Sequence, residues 1–451
     1  MNEKQKEYEY NKEEKIKVKE TKINNIIIGI IKIEKNNLNQ RIINNIKGIE
    51  NDKEEKNCDI FINEKKCDFT YYYAFPHEGV YKIKYIFKKL LKSTNHLFYN
   101  CYSLISIDLS NFDSSNIIDM GYMFYNCNSL IAINLSNFNT QNVTNMEFMF
   151  SNCNSLLSLD LSNFNTSNVI NMSSLFRNCD SLIALDLLYF NTQNVTNMEF
   201  MFSDCTSLKS INLSNFNTSN VNNIGYMFYG CKSLVSIDLS TFNTKNVTNF
   251  GSMFNNCESL ISIDLSNFDT KNATNIGFMF SYCNSLLSIN LSNFNTENVT
   301  NIGYMFYGCK SLLSVNLSNF NTQKVTDMEN LFYNCHSLIS LDLSNFVTKN
   351  VTHMQCMFKN CFSLTSLDFS NFDTKNVVNM NSIFYNCYSL KSLRISNFEI
   401  RHSTNIEYIF YNCYSLTTID ISNFNIEEGS NLDNILFNCN SLINKKANIF
   451  N

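Results

Sequence analysis

The chain has no tryptophan, one proline (Pro76), eleven glycines and five histidines among 451 residues. Scarce proline and glycine exclude a collagen-like or polyproline chain and leave no Gly-rich phosphate loop. The histidines (His77, His96, His336, His353, His402) align with neither one another nor a cysteine pair, so zinc and other metals are not expected. Long apolar runs are missing too. The longest, Ile26 to Ile31, is six residues against the roughly 20 that a membrane span needs. A formal net charge of −5 does not call for a polyanionic partner, so nucleic acid is not expected as a ligand. What is abundant is 38 Phe, 23 Tyr and 17 Cys, with a hydrophobic fraction of 44%, too high for disorder. The Asn, Ile and Lys bias is also what AT-rich codons produce. Strong bias with high apolarity calls for a search for internal repeats.

The cysteines reveal the period. Fourteen of them, from Cys101 to Cys439, stand 26 residues apart without insertion, while Cys58, Cys67 and Cys356 lie off the ladder. Counting from each ladder Cys as zero, Ser stands at +2 and Leu at +3 in every copy, and Phe recurs at +11 and +23. Apolar +3, +6, +8 and +11, as in Leu104 to Phe112, follow the L-x-x-L-x-L frame of leucine-rich repeats. Polar +5, +7 and +9 alternate with apolar +6 and +8, the pattern of a half-buried strand. Val143, Met146, Met149 and Phe150 (+16, +19, +22, +23) read as a short helix with Thr144 or Asn145 as N-cap. Asn, Asp or Gly at +25 marks a left-handed residue, with Tyr282 as the exception.

The expected fold is therefore an α/β repeat: a leucine-rich-repeat solenoid with one strand and one short helix per 26-residue unit. Each unit buries its apolar face only against its neighbours, and about thirteen stacked units give a spine of roughly 60 Å. Residues 1–21, alternating Lys and Glu, read as a charged tail, 22–95 as a β-rich N-terminal cap, 96–442 as the solenoid and 443–451 as a C-terminal tail. The N-terminus shows neither the basic start nor the apolar stretch of a secretory signal, which points to the cytoplasm.

The run Asn137-Phe138-Asn139-Thr140-Gln141-Asn142-Val143-Thr144-Asn145-Met146, with Met149-Phe150 and Asn152-Cys153-Asn154-Ser155-Leu156 after it, resembles the bacterial surface-protein 26-residue repeat. That repeat belongs to the BspA-like leucine-rich-repeat family. The resemblance spans about Leu97 to Ser441 and implies a surface protein, secreted or anchored, engaged in adhesion and host contact. It carries the extracellular alternative to a cytoplasmic location.

No catalytic constellation or cofactor motif stands outside the repeat logic, so a non-enzymatic interaction protein is expected, acting as a monomer on a protein or carbohydrate ligand. Two rows are candidate binding surfaces. On the strand face at +7 stand Asp108, Asp160, Asp186, Asp238, Asp264, Asp342, Asp368 and Asp420, with Arg394 breaking the run. They form either an acidic groove for a basic or hydroxyl-rich ligand or, the preferred reading for so monotonous a row, a solvated sheet. On the opposite side, Tyr122, Phe148, Phe200, Tyr226, Phe278, Tyr304 and Tyr408 stand at +21, with tyrosines such as Tyr125, Tyr229 and Tyr307 at +24. Exposed aromatic stripes bind partners, and edge packing between helices is the alternative. The cysteine ladder reads as small buried hydrophobes. Ten threonines at +13, from Thr140 to Thr374, read as turn residues, with an ice-binding array as the remote alternative. Two further functional readings remain open: an adhesin-like surface protein, or an N-terminal binding module for which the repeats are a spacer.

Overall fold

Among the described residues, three-residue turns, not helices, connect the strands. The computed structural model describes residues 25–44, 57–395, 397–400, 404–420 and 432–443. The charged segment read over 1–21 and residues 444–451 of the C-terminal tail lie outside the described residues. Two short α-helices occur among the described residues, α1 (Leu432–Ile435) and α2 (Asn440–Ile443), both at the C-terminal end.

The segment expected to be helical is a chain of tight turns. Val143 N–H donates to Thr140, Met149 to Met146, Cys153 to Phe150 and Leu156 to Cys153, each three residues back. The intervening amides turn outward to the next coil: Met146 N–H donates to the Asn171 carbonyl, Phe148 to Ser173 and Phe150 to Leu175. Amides bonded 25 residues ahead are not free for an i→i−4 ladder. Positive φ at +21 and +25 breaks the helical path twice more in each coil, as at Phe148 (54°) and Asn152 (60°). The expected short helix per repeat is thus corrected to turns. The apolar spacing of three at Val143, Met146 and Met149 fits i→i+3 turns better than a 3.6-residue period. At +25 even Tyr282 adopts φ 58°, so the backbone imposes this conformation whatever side chain occupies it.

At the N-terminal end β1 (Ile26–Ile33), β2 (Asn39–Arg41), β3 (Cys58–Ile62), β4 (Lys65–Cys67), β5 (Tyr72–Ala74) and β6 (Gly79–Phe87) precede the first repeat strands, β7 (Leu104–Asp108) and β8 (Ala132–Asn134). They form a six-stranded sheet in the order β4-β3-β6-β1-β7-β8, and β2 pairs separately with β5. Pairing is antiparallel from β3 through β6 and β1 to β7, then parallel from β7 to β8. The edge of the first coil is therefore covered by β1, whose alternate residues Ile27, Ile31 and Ile33 are buried. Later strands are only three residues long, such as β9 (Ala184–Asp186) paired in parallel with β10 (Ser210–Asn212), always one coil to the next.

The interior is a set of columns. Phe at +23 forms an unbroken stack from Phe98 to Phe410, with rings about 5.7 Å apart and nearly parallel, as in Phe124–Phe150 (5.7 Å, 10°). Rings at that separation pack with offset faces, and each fully buried Phe contributes roughly 1.5–3 kcal/mol. The ladder cysteines are buried beside this stack, and each thiol from Cys127 to Cys439 donates to the carbonyl of the Phe 29 residues earlier (Cys153 to Phe124, 3.3 Å). Burial pushes their thiols up, to about 11 at Cys439, about 12 at Cys205 and further at the others.

The polar columns close the corners. Asn or Asp side chains accept from the amide two residues on at +7, +12 and +18, as Asn134 does from Ser136, Asn139 from Gln141 and Asn145 from Glu147. The asparagine abundance is thus structural. The +13 threonines are buried, which removes the ice-binding alternative for that row. Thr218 Oγ1 donates to the Asn243 carbonyl (2.9 Å) and accepts the Asn243 amide (2.8 Å), stitching two coils with one hydroxyl. Ser114 makes the same pair of bonds to Asn139, so the hydroxyl is what the position needs.

Thr218→Val should cost about 1–3 kcal/mol in denaturant unfolding, because it strands two buried backbone groups at constant volume, while Thr218→Ser should cost much less. Equal losses for both would show that packing, not the hydroxyl, matters. In the native chain a thiol reagent should modify half-buried Cys67 and Cys356 and leave the ladder untouched until denaturant is added.

Candidate functional site

Short strands and turns put five rows on the surface, at +1, +4, +7, +21 and +24. The +7 row lies at the end of each strand, and here the first duty of the carboxylate is to the backbone. Asp108 accepts the Ser110 amide (2.9 Å), Asp160 that of Ser162 (3.0 Å), Asp186 that of Leu188 (3.1 Å) and Asp238 that of Ser240 (2.9 Å). Asp264, Asp342 and Asp368 do the same with Ser266, Ser344 and Ser370. Neighbouring coils add bonds: Asn134 Nδ2 donates to Asp108, Asn212 to Asp186, and Arg394 pairs with Asp368 at 3.3 Å. Asp420 is exposed in a shallow depression with Arg394, Ile395 and Ile419. Of the eight carboxylates Asp108 is half-buried and the others are exposed. The Ser amides two residues on hold Asp160, Asp238, Asp264 and Asp342 below the usual carboxylate range, and the Ser370 hydroxyl does so first for Asp368.

The +21 row follows the +18 turn. Every residue there has positive φ, from Tyr122 (57°) through Phe148, Phe200, Tyr226, Phe278 and Tyr304 to Tyr408 (57°). This directs the ring away from the core while the residues at +19, +22 and +23 are buried. The rings are half-buried, except Phe278, which is 40% exposed. They stack in runs: His96–Tyr122–Phe148 at 4.7 and 4.8 Å, Phe200–Tyr226 at 4.5 Å and Phe278–Tyr304 at 4.5 Å. The +24 rings stack alongside, Tyr99–Tyr125 at 5.1 Å, Tyr307–Tyr333 at 4.6 Å and Tyr385–Tyr411 at 4.8 Å. Two cations lie over rings, Arg177 on Phe200 and Lys359 on Tyr385. Burial, and then the bond that Tyr304 donates to Glu329 (2.6 Å), push the Tyr304 hydroxyl up to about 12.

Two surface rows escaped the sequence reading. Ile131, Leu157, Ile183, Val235, Ile261, Leu287, Leu313 and Ile339, all at +4, are each between 44% and 56% exposed. The alternation frame counts +3 and +6 and passes over +4, although Ile, Leu or Val recurs there. At +1, His336, Phe362, Tyr388 and Tyr414 form a short stack at 4.4, 4.9 and 5.2 Å. Where β1 ends against the first coils, an open cleft of about 390 Å³ is lined by Lys32, Glu34, Gln40, Tyr102, Ile105 and Ile131, among others. Among the described residues no group of three or more His, Cys, Asp or Glu could hold a metal, and no helix is long and apolar enough to cross a membrane.

Because Asp160, Asp238, Asp264, Asp342 and Asp368 titrate below their ordinary value in the folded chain, they add stability that is complete above the unfolded carboxylate pKa and is lost as pH falls through the depressed values. Asparagine already makes the same turn at Asn212 and Asn290. Replacing Asp160, Asp238, Asp264, Asp342 and Asp368 together by Asn should therefore keep the turns, lower the melting temperature near neutral pH modestly and flatten its fall between about pH 5 and pH 2. An unchanged acid profile would mean that other groups control it.

A family model described as "Mycoplasma protein of unknown function, DUF285" matches the chain in five overlapping stretches, residues 92–210, 172–288, 205–314, 279–393 and 361–451. Among solved structures, the chain is similar to a leucine-rich repeat protein from Bacteroides ovatus at 18% identity, with 76% of this chain and 88% of that chain covered and a TM-score of 0.39. It is similar to a leucine rich cell surface protein from Faecalibacterium prausnitzii at 19% identity, covering 74% and 83% with a TM-score of 0.38. A leucine-rich repeat protein from Eubacterium ventriosum matches at 16% identity over 72% and 89%, with a TM-score of 0.28. No curated protein matches the chain. The family matches run from residue 92 to residue 451 without a gap, and the chain belongs to this DUF285 family, which bears out the resemblance to BspA-like leucine-rich-repeat proteins read from its 26-residue repeat.

Proposed function

We propose that the chain is a non-enzymatic recognition solenoid, acting as a monomer, whose aromatic rows at +21 and +24 bind a protein or carbohydrate partner. One observation carries this reading. From Tyr122 to Tyr408 the backbone at +21 is left-handed in twelve successive coils, a conformation that costs an ordinary side chain roughly 1–2 kcal/mol and that Gly or Asn tolerates best. Ser, Asn and Cys fill it at Ser174, Ser252, Asn330, Cys356 and Ser382, yet seven of these twelve positions hold Tyr or Phe. The fold does not need rings there, and rings with one exposed face offer a partner large contact area at low entropy cost.

The acidic +7 row, Asp108 to Asp420, is a second candidate surface, for a basic or hydroxyl-rich ligand. It ranks lower because its carboxylates already cap the strand turns. The adhesin-like reading, with the chain at a cell surface, is supported by the BspA-like resemblance. Protease shaving of intact cells separates it from a cytoplasmic setting, in which the chain would stay protected. The cleft at Lys32 and Tyr102 supports the reading in which the N-terminal sheet is the binding unit.

Replacing Tyr122, Phe148, Phe200, Tyr226, Phe278, Tyr304 and Tyr408 together by Ser, the residue that Ser174 and Ser252 already place there, should preserve the fold. On glycan and protein arrays the wild-type chain should give a specific signal that the variant loses at least tenfold. Full retention of that signal would sink the aromatic-face reading, and a parallel loss on changing the +7 row to Ala would transfer the site to the strand face.

A further inference from the structure

Six of the seven +21 rings stand in pairs, and the gap between two of the pairs has the dimensions of a ring. Phe200–Tyr226 and Phe278–Tyr304 each stack at 4.5 Å, with interplanar angles of 14° and 11°. Ser252 occupies the coil between them, with the same left-handed backbone (φ 55°) and no ring. Tyr226 has one face on Phe200 and Phe278 has one face on Tyr304, so their other faces look toward one another across Ser252. Two steps of the 4.5 Å ring spacing put the facing planes roughly 9 Å apart.

The slot has a floor and polar margins. Ser252 is 4% exposed and its hydroxyl has no hydrogen bond among the described residues. The half-buried side chains of Tyr229, at +24 in the preceding coil, and Asn255, at +24 in the same coil, likewise make no hydrogen bond among the described residues. Tyr229 leans on Tyr226 at 5.8 Å. Beside the floor, Gly251 has no Cβ, which would run into the Asn275 amide, and so leaves room for the Asn249–Asn275 bond (3.1 Å) along one side.

The other serines at this offset do not make such a slot. At Ser174 the guanidinium of Arg177 lies over Phe200, 4.8 Å from its centroid, on the face that Tyr226 leaves open. Ser382 stands between Cys356 and Tyr408 and has one ring for a neighbour.

Spacing selects the ligand. A flat aromatic ring in carbon contact with both walls needs roughly 7 Å between planes, whereas a puckered pyranose, with axial C–H groups on both faces, needs roughly 8–9 Å. The rings supply apolar faces for those C–H groups, and Ser252, Asn255 and Tyr229 supply donors and acceptors for equatorial hydroxyls. We propose that the slot over Ser252, between Tyr226 and Phe278, is a pyranose-binding site. This rests on the aromatic-face reading above and narrows its partner to a glycan.

The test is saturation-transfer NMR on the full chain with methyl glycosides of glucose, galactose, mannose and N-acetylglucosamine. At least one should receive saturation at its axial ring protons. Ser252→Tyr should lower its affinity at least tenfold by filling the slot with a ring that the backbone accepts, as at Tyr226 and Tyr304. Phe278→Ser should do the same by removing a wall, while Ser382→Tyr, five coils away, should change nothing. Absence of binding by the whole panel at about 20 mM, saturation confined to a planar heteroaromatic probe, or binding unaffected by Ser252→Tyr would each overturn the assignment. If the seven-ring variant loses its array signal while Ser252→Tyr keeps it, the slot falls and the aromatic-face reading stands.

Discussion

Hydrogen bonding between successive coils is the constraint from which the rest of this molecule follows. Because each coil contains 26 residues, the same amide meets the same carbonyl at every step, and amides such as those of Met146, Phe148 and Phe150 donate across the interface. Alternate amides on the turn side are thereby committed to the neighbour, and those between them close turns of three residues. A left-handed residue at +21 and another at +25 satisfy both demands at once. The phenylalanine column, the thiol bonds to its carbonyls and the buried threonine hydroxyls all occupy places that this backbone register defines.

That register explains why polar residues recur as strictly as apolar ones. A coil with this many corners presents many amides to the interior edge, and each needs a partner. Asparagine answers at +7, +12 and +18 with its side-chain oxygen and threonine at +13 with its hydroxyl. Asp108 and its counterparts therefore meet two requirements at one position, the turn and the surface. The +21 rings meet only the second, since serine fills the same backbone elsewhere. This difference separates the two candidate rows more sharply than their exposure does.

The period, the burial of Leu at +3, Phe at +11 and +23 and Cys at zero, and the left-handed residue at +25 were legible because each shows as one residue type at a fixed interval. The helix was misread because Val143, Met146 and Phe150 fit a helical face as well as a run of turns, and only the unbroken spacing of three distinguishes the two. The left-handed +21 position gave no sign, since Tyr122 or Phe148 is the last residue type expected there. The +4 aliphatic row stayed hidden behind the apolar frame, because exposure of Ile131 or Leu157 depends on which way the strand enters the sheet. Threonine at +13 was assigned to a turn, but its burial follows from the next coil, which no single repeat contains. The slot over Ser252 was beyond the sequence for the same reason: it is a relation among five coils, visible only once the rings are aligned.

The absence of any insertion between Cys101 and Cys439 has a consequence for how such a chain changes length. Removing or duplicating one whole unit would leave every column continuous and shift the distal surface by about 4.8 Å, the separation of neighbouring strands. Any other insertion would have to leave the register as an external loop. Reach is thus quantised, and a pattern of ring pairs and gaps along one face can be rewritten by shuffling units without reworking the interior.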